Sequence, residues 1–295
     1  RLQRVPDLLN IFWKSFPRTV GLMLTQVSFV AITAIASTLH AGSLAVFQLS
    51  FNLQSIPLAL IGISFSVAAF PTMAELIVKR ERGVFFDHLI SSTRSIIFWT
   101  LPMTVLFIVL RAHIVRVILG GGAFSWADTR LTAASLALFA VGMVAQSLVT
   151  LFVRAFYAAG NTRVPILVNA GALLATVAGA FFFVRVLQEA PSLSEPFFRI
   201  LRVEDVPHAA VLGLPLAFAV GALINMWFLG FYMRRMDGGV FFRLWQFRPF
   251  LWHITGASML MGVVCYGALQ ALRPLFSTDT FLAYFWMARL QGRWG

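Results

Sequence analysis

The sequence predicts an all-α membrane protein: a polytopic transmembrane helical bundle of about seven spans, with a truncated eighth at its end. Three observations carry this. Hydrophobic residues make up 59% of the chain and charged residues 12%, with a mean hydropathy of +0.84, far from the balance of soluble domains. Uncharged runs long enough to cross a hydrocarbon core of ~30 Å as a helix recur along the chain. The 23 basic residues, which set a net charge of +12, sit between those runs rather than along one face. They read as topology signals, so no nucleic-acid partner is expected. The 30 phenylalanines suit a surface that faces lipid, so membrane lipids are the expected surroundings.

Residues 1–17 mix bases with Leu8, Leu9, Ile11, Phe12 and Trp13, the composition of a cytoplasmic interfacial linker. The transmembrane bundle occupies residues 18–295. Its first span, residues 19–39, places Thr19, Gln26, Thr33 and Ser37 on one stripe. A short link at His40 to Ser43 makes the second span its antiparallel neighbour. That second span organises the chain, because it has no charge between Gly42 and Phe70, and Gln48, Asn52, Ser55, Ala59, Gly62 and Ser66 recur at spacings near helical period. Lipid penalises that stripe, so it should look into a protein interior or an aqueous cavity. Helix packing and a transport cavity both satisfy the pattern. Val46, Leu53, Leu60 and Ile61 form the opposite face, expected to meet lipid, and Pro57 and Pro71 should interrupt the helix.

The third span, residues 95–110, should kink at Pro102 and ends at Arg111, His113, Arg116 and the turn at Gly120, Gly121 and Gly122. The fourth covers residues 131–153 and closes on Arg154 and Tyr157. Gly160, Asn161 and Thr162 then make a turn and cap before Pro165. The fifth, residues 165–184, carries Asn169 and Thr176 on one face, and Gly171, Ala175 and Gly179 at the spacing of close helix contact. Residues 188–207 read as one substantial charged loop. The sixth span covers residues 209–232, with Ala217, Gly221 and Asn225 four apart, and the seventh covers residues 250–272. Residues 281–290 are too short to span and read as the cut stub of an eighth. With the start taken as cytoplasmic, 14 bases fall inside and 7 outside, which supports that orientation. A start at Arg1 reads as a fragment or processed chain.

Catalytic and metal chemistry is not expected. His40, His88, His113, His208 and His253 lie in different segments, and the lone Cys265 excludes both an internal disulfide and a thiolate cage. Asp128 and the Glu204–Asp205 pair are the carboxylates placed to serve an outer active site, but a solvated charged loop accounts for them better. No enzyme, cofactor or catalytic residue is assigned.

Two stretches carry a family resemblance. One runs from Pro57-Leu58 through Gly62-Ile63 to Ala69-Phe70-Pro71-Thr72. The other is Arg154-Ala155-Phe156-Tyr157-Ala158 with Gly160, Thr162-Arg163 and Pro165. Together they resemble the signatures of the MviN/MurJ-type lipid II flippases of the multidrug/oligosaccharidyl-lipid/polysaccharide exporter superfamily. The resemblance implies the second lobe of a fourteen-helix flippase in a bacterial cytoplasmic (inner) membrane, whose N-terminal lobe is the missing partner. It implies a lipid-linked oligosaccharide as substrate, the undecaprenyl-diphosphate-linked muropeptide, flipped by alternating access for peptidoglycan synthesis. The substrate cavity would be lined by Arg18, Gln26, Thr33, Gln48, Asn52 and Ser55. Asn52 and Gly121 stand where that family usually carries basic residues; asparagine donates hydrogen bonds to a phosphate but cannot neutralise it. Alternatives are a drug or cation antiporter or another polysaccharide-lipid flippase of the superfamily, a non-transporting scaffold for wall synthesis, and a polyprenyl glycosyltransferase.

Overall fold

A computed structural model describes residues 7–120, 125–236 and 248–272. The described residues form helices and connecting turns: α1 (Asp7–Ser37), α2 (Ser43–Pro57), a π-helical turn (Leu58–Ile63), α3 (Ser64–Val78), α4 (Arg82–Val109), α5 (Arg111–Leu119), α6 (Trp126–Ala158), α7 (Arg163–Glu189), α8 (Pro191–Leu201), a 3-10 turn (Ala209–Leu212), α9 (Gly213–Met236) and α10 (Arg248–Leu272). Among the described residues 6 helices are long and apolar enough to cross a membrane: Ser43–Val78, Arg82–Val109, Trp126–Ala158, Arg163–Glu189, Ala209–Met236 and Pro249–Leu272. The chain is a multi-pass membrane protein.

The first expected span, residues 19–39, falls on α1, one 31-residue helix through Pro17; the side chains of its first half lie largely outside the described residues, and its apolar stretch Gln26–Ser37 closes it. The stub at residues 281–290 and the glycines Gly121 and Gly122 lie outside the described residues.

α6 is the axis of the bundle. Residues 131–140 are buried without interruption, because this helix is surrounded by α2, α3, α4, α5 and α9. α7 lies on α9 and α1, and α10 lies on α4. Two apolar clusters hold the helices at opposite ends. One gathers Ile32, Phe47, Phe139 and Leu214, the other Met73, Phe85, Phe156 and Met233. Phe47, Phe85, Phe139 and Phe156 are fully buried and build the interior, while Phe98, Phe181, Phe182 and Phe228 stand exposed on the outside. Phe51, Phe139 and Phe218 meet edge-on with ring centroids 5.5–5.8 Å apart, joining α2, α6 and α9.

The second span departs from expectation at both prolines. Pro71 sits inside α3 without ending it. Pro57, lacking an N–H to donate, is followed by one π-helical turn and not by a break. The carbonyls loosened there are satisfied by side chains. Ser64 Oγ donates to Ala59 O at 3.0 Å, Thr150 Oγ1 to Gly62 O at 3.2 Å, and Arg154 Nη1 to Ile63 O at 3.0 Å.

Three further segments differ from their sequence readings. Residues 82–94 belong to α4, which runs through Pro102 to Val109. The expected loop at 188–207 contains α8, whose Pro191 starts a helix that buries Leu201 and half-buries Phe197 and Phe198. On α7 the buried face is Ala172, Thr176, Ala180 and Val184, one position away from Gly171–Ala175–Gly179; a Cβ at Gly171 would meet open space, while one at Gly179 would stand 3.6 Å from Ala217 of α9. The small residues Ala217 and Gly221 of α9, noted for their spacing, are buried, Gly221 against Thr176.

Candidate functional site

The expected cavity residues occupy the α1–α2 face. Gln26 of α1 and Gln48 and Asn52 of α2 are exposed, while Thr33 and Ser55 are half-buried. Thr33 returns its hydroxyl to Phe29 O and Val30 O at 2.5 and 3.0 Å, and Ser55 donates to Asn52 O at 2.7 Å. Their hydroxyls are therefore partnered within their own helices, whereas the amides of Gln26, Gln48 and Asn52 project outward. Arg18 lies on α1, but its side chain is outside the described residues. The face thus offers amide donors and acceptors to a polar ligand.

The polar stripe on the second span divides in two. Gln48, Asn52 and Ala59 stay exposed, but Gly62 and Ser66 are buried against α6. The face assigned to lipid is corrected at three of its four positions. Val46, Leu53 and Ile61 are 5–8% exposed and packed inside, and only Leu60, at 65%, faces outward. The π turn contributes to this division, since its extra residue shifts the register of everything after Pro57.

A second polar line, missed in the sequence, joins this span to α6. Ser50 Oγ meets Ser135 Oγ at 2.7 Å. Gln54 and Gln146 exchange amide hydrogen bonds at 3.2 and 3.4 Å, and Ser66 Oγ meets Thr150 Oγ1 at 2.9 Å. Ser50, Gln54 and Ser66 are fully buried. The signal lay in α6, where Ser135, Gly142, Gln146 and Thr150 recur on one helical face. The two stretches that carry the family resemblance also dock on each other here. Gly62 lets α6 approach, since a Cβ there would fall 2.9 Å from Ser147 Cα, and Arg154 caps the π turn at Ile63. On the next helices, Asn225 Nδ2 donates to Asn169 Oδ1 at 3.0 Å, across α9 and α7.

The carboxylates considered for an outer active site have structural partners. Asp128 closes a capping box at the start of α6, accepting from Ser125 N at 3.0 Å and Ser125 Oγ at 2.6 Å. Asp205 lies 3.7 Å from Arg130, and Glu204 lies 3.4 Å from Arg199. Arg130 and Arg111 hold the end of α8 by donating to the carbonyls of Arg202 and Leu201, the latter at 3.1 Å. Burial and the neighbouring Arg202 hold the Arg111 guanidinium below its ordinary range. At the other end of α6, Asn161 Oδ1 accepts from Val164 N at 3.3 Å, so Asn161 caps α7 where Thr162 makes no cap bond.

Comparison with known proteins places this architecture. The family model described as lipid II flippase MurJ matches residues 1–286. A probable lipid II flippase MurJ of Thermotoga maritima is 31% identical over 158 residues, covering 53% of this chain and 32% of that protein. A probable lipid II flippase MurJ of Bdellovibrio bacteriovorus is 25% identical over 305 residues, covering 99% of this chain and 54% of that protein. A solved structure, lipid II flippase MurJ in an inward closed conformation, superposes with a TM-score of 0.66 at 19% identity, covering 98% of this chain and 53% of that one. The chain thus spans about half the length, or less, of the relatives it matches. With the match running over nearly every residue and the bundle shared, this chain belongs to the lipid II flippase MurJ family.

Proposed function

We propose that residues 18–295 form the C-terminal lobe, and residues 1–17 the linker into it, of a flippase that moves lipid II across the bacterial cytoplasmic membrane. An N-terminal lobe completes the cavity, and the two lobes rock about it by alternating access. The observation that carries this reading is the exposed amide face. Gln26, Gln48 and Asn52 stand outward on α1 and α2, while the apolar residues Val46, Phe47 and Leu53 of the same span are buried. Hydrocarbon disfavours such a face, whereas a facing lobe or a water-filled cavity satisfies it. Relatives bearing the lipid II flippase name support lipid II as the substrate. In this site Asn52 hydrogen-bonds the diphosphate head group, and Arg18 supplies positive charge at the inner mouth.

The test uses the full-length protein with Asn52→Leu and Asn52→Arg. Asn52→Leu should preserve melting in detergent yet reduce the flipping of lipid II, read as its accessibility at the outer surface of cells. Asn52→Arg should be tolerated, since an aqueous cavity solvates a guanidinium. Unchanged flipping by a stably folded Asn52→Leu protein removes Asn52 from the site. Loss of folding in Asn52→Arg shows that the face is packed, not hydrated.

A further inference from the structure

The turn between α3 and α4 carries a cavity that the translocation reading does not use. It has a volume of about 580 Å³ and is lined by Ile77, Arg80, Arg82, Phe85 and Phe86, with Ala159 of α6 and Met236 of α9 completing it. Its chemistry is two-sided: two guanidiniums at one edge, and an apolar floor in which Phe85 and Phe86 are 1% and 5% exposed.

The neighbouring charges leave those guanidiniums available. Lys79 is held by Glu75 at 2.7 Å. Glu81 lies between the two arginines and Asp87 follows on α4, yet among the described residues no ion pair engages Arg80 or Arg82. Arg234 and Arg235 in the last turn of α9 add positive charge beside Met236.

The backbone of the turn supplies a second, independent observation. Glu81 N donates to Leu76 O and Arg80 N to Ile77 O, each at 3.0 Å, the paired closure of a Schellman motif. The motif puts its left-handed residue at Arg80, with φ 61°. Glycine is the low-cost residue there, and an arginine holds that conformation against its steric preference. A side chain kept at a position where its backbone is disfavoured points to a use for the side chain. Its surroundings indicate which use. Val78 and Val84, flanking the basic turn, are 82% and 52% exposed, so the turn lies where an apolar surface is compatible with its medium. Guanidiniums between exposed valines fit the boundary between acyl chains and head groups.

We propose that this cavity binds the phosphodiester head group of an anionic glycerophospholipid. Arg80 and Arg82 engage the phosphate, and the glycerol and first methylenes lie over Ile77 and Phe86. The site lies apart from the α1–α2 face and does not depend on which substrate the lobes carry.

The full-length protein tests this directly through Arg80→Gly. Glycine relieves the left-handed turn, so this variant should melt no lower than the parent while losing the charge. Native mass spectrometry of protein drawn from phosphatidylglycerol bilayers should show about a fivefold loss of retained lipid. Arg185→Gln, which removes one charge near the opposite end of α7 from the α6–α7 turn, should retain it. In the unmodified protein, phosphatidylglycerol nanodiscs should protect the peptide containing Arg80 and Arg82 from phenylglyoxal, relative to phosphatidylcholine nanodiscs. The proposal is overturned by an equal loss in Arg185→Gln, by absence of protection, or by equal protection from inorganic phosphate in phosphatidylcholine nanodiscs.

Discussion

At Gly62 the π turn and α6 come so close that a methyl group has no room. An added Cβ would stand 2.7 Å from Ser147 Oγ and 2.9 Å from Ser147 Cα, and a backbone atom cannot swing aside as a side chain can. Gly62→Ala should therefore lower stability by about 1–3 kcal/mol, the usual cost of overpacking a tight contact. Arg154 acts on the same turn through its bond to Ile63 O at 3.0 Å, and Arg154→Gln should cost about 1 kcal/mol. Because both residues hold one element, the double variant should lose less than the sum of the two. Melting of the detergent-solubilised protein measures all three, and strict additivity would show that the glycine contact and the arginine cap act independently.

Between elements, the contact of α2 and α3 with α6 is held in register by polar rungs. The buried Gln54–Gln146 exchange, at 3.2 and 3.4 Å, is the rung that cannot be satisfied from within one helix. Ser50 and Ser66 also bond carbonyls of their own helix, at 2.6 and 2.5 Å, and so have a second partner if the contact opens. Replacing one glutamine by leucine strands the other amide in the bundle, at about 1–3 kcal/mol. Replacing both removes the unsatisfied group along with the bond. We expect Gln54→Leu and Gln146→Leu each to reduce the melting temperature, and the pair together to recover part of the loss. The coupling should be about 0.6–2 kcal/mol, the range for hydrogen bonds between membrane helices. A double variant as unstable as the sum of the singles would indicate that the amides contribute through shape alone.

For the whole molecule, the count of 14 bases against 7 sets an orientation that chemical labelling can check. Gly83 stands at the α3–α4 turn and Ser192 in α8, both exposed. Cysteines at Gly83 and Ser192 should react from opposite sides of the membrane, Gly83 from the cytoplasm. Labelling of both from outside would overturn the arrangement. The half-length match to relatives gives a second prediction at this scale. Residues 1–295, reconstituted without any further chain, should fold as a bundle but fail to translocate lipid II, because the α1–α2 face then has no opposing lobe. Robust flipping by these residues alone would refute the two-lobe mechanism.

Much of this protein was legible in the sequence because the bilayer is a severe solvent. A backbone crossing hydrocarbon must satisfy its own hydrogen bonds, so uncharged runs of span length can only be helices, and bases between them mark their ends. The cap before Pro165 followed from such local rules, and Gln48 and Asn52 fall on one exposed stripe of α2 as their spacing requires. Which face of each helix meets lipid did not. Lipid and protein interior are equally apolar, so Val46, Leu53 and Ile61 carry no mark separating one from the other, and the structure buries them. The polar residues of α6 likewise had no visible destination until Gln146 met Gln54 and Thr150 met Ser66 across residues far apart in the chain. Asp128 changed from a candidate acid to a helix cap for the same reason, since its role depends on where Ser125 sits. The sequence by itself determined that the chain is a membrane helical bundle and which segments could span. Only the tertiary structure decided which faces pair, because pairing in an apolar medium rests on shape and on hydrogen-bond partners that lie in other helices.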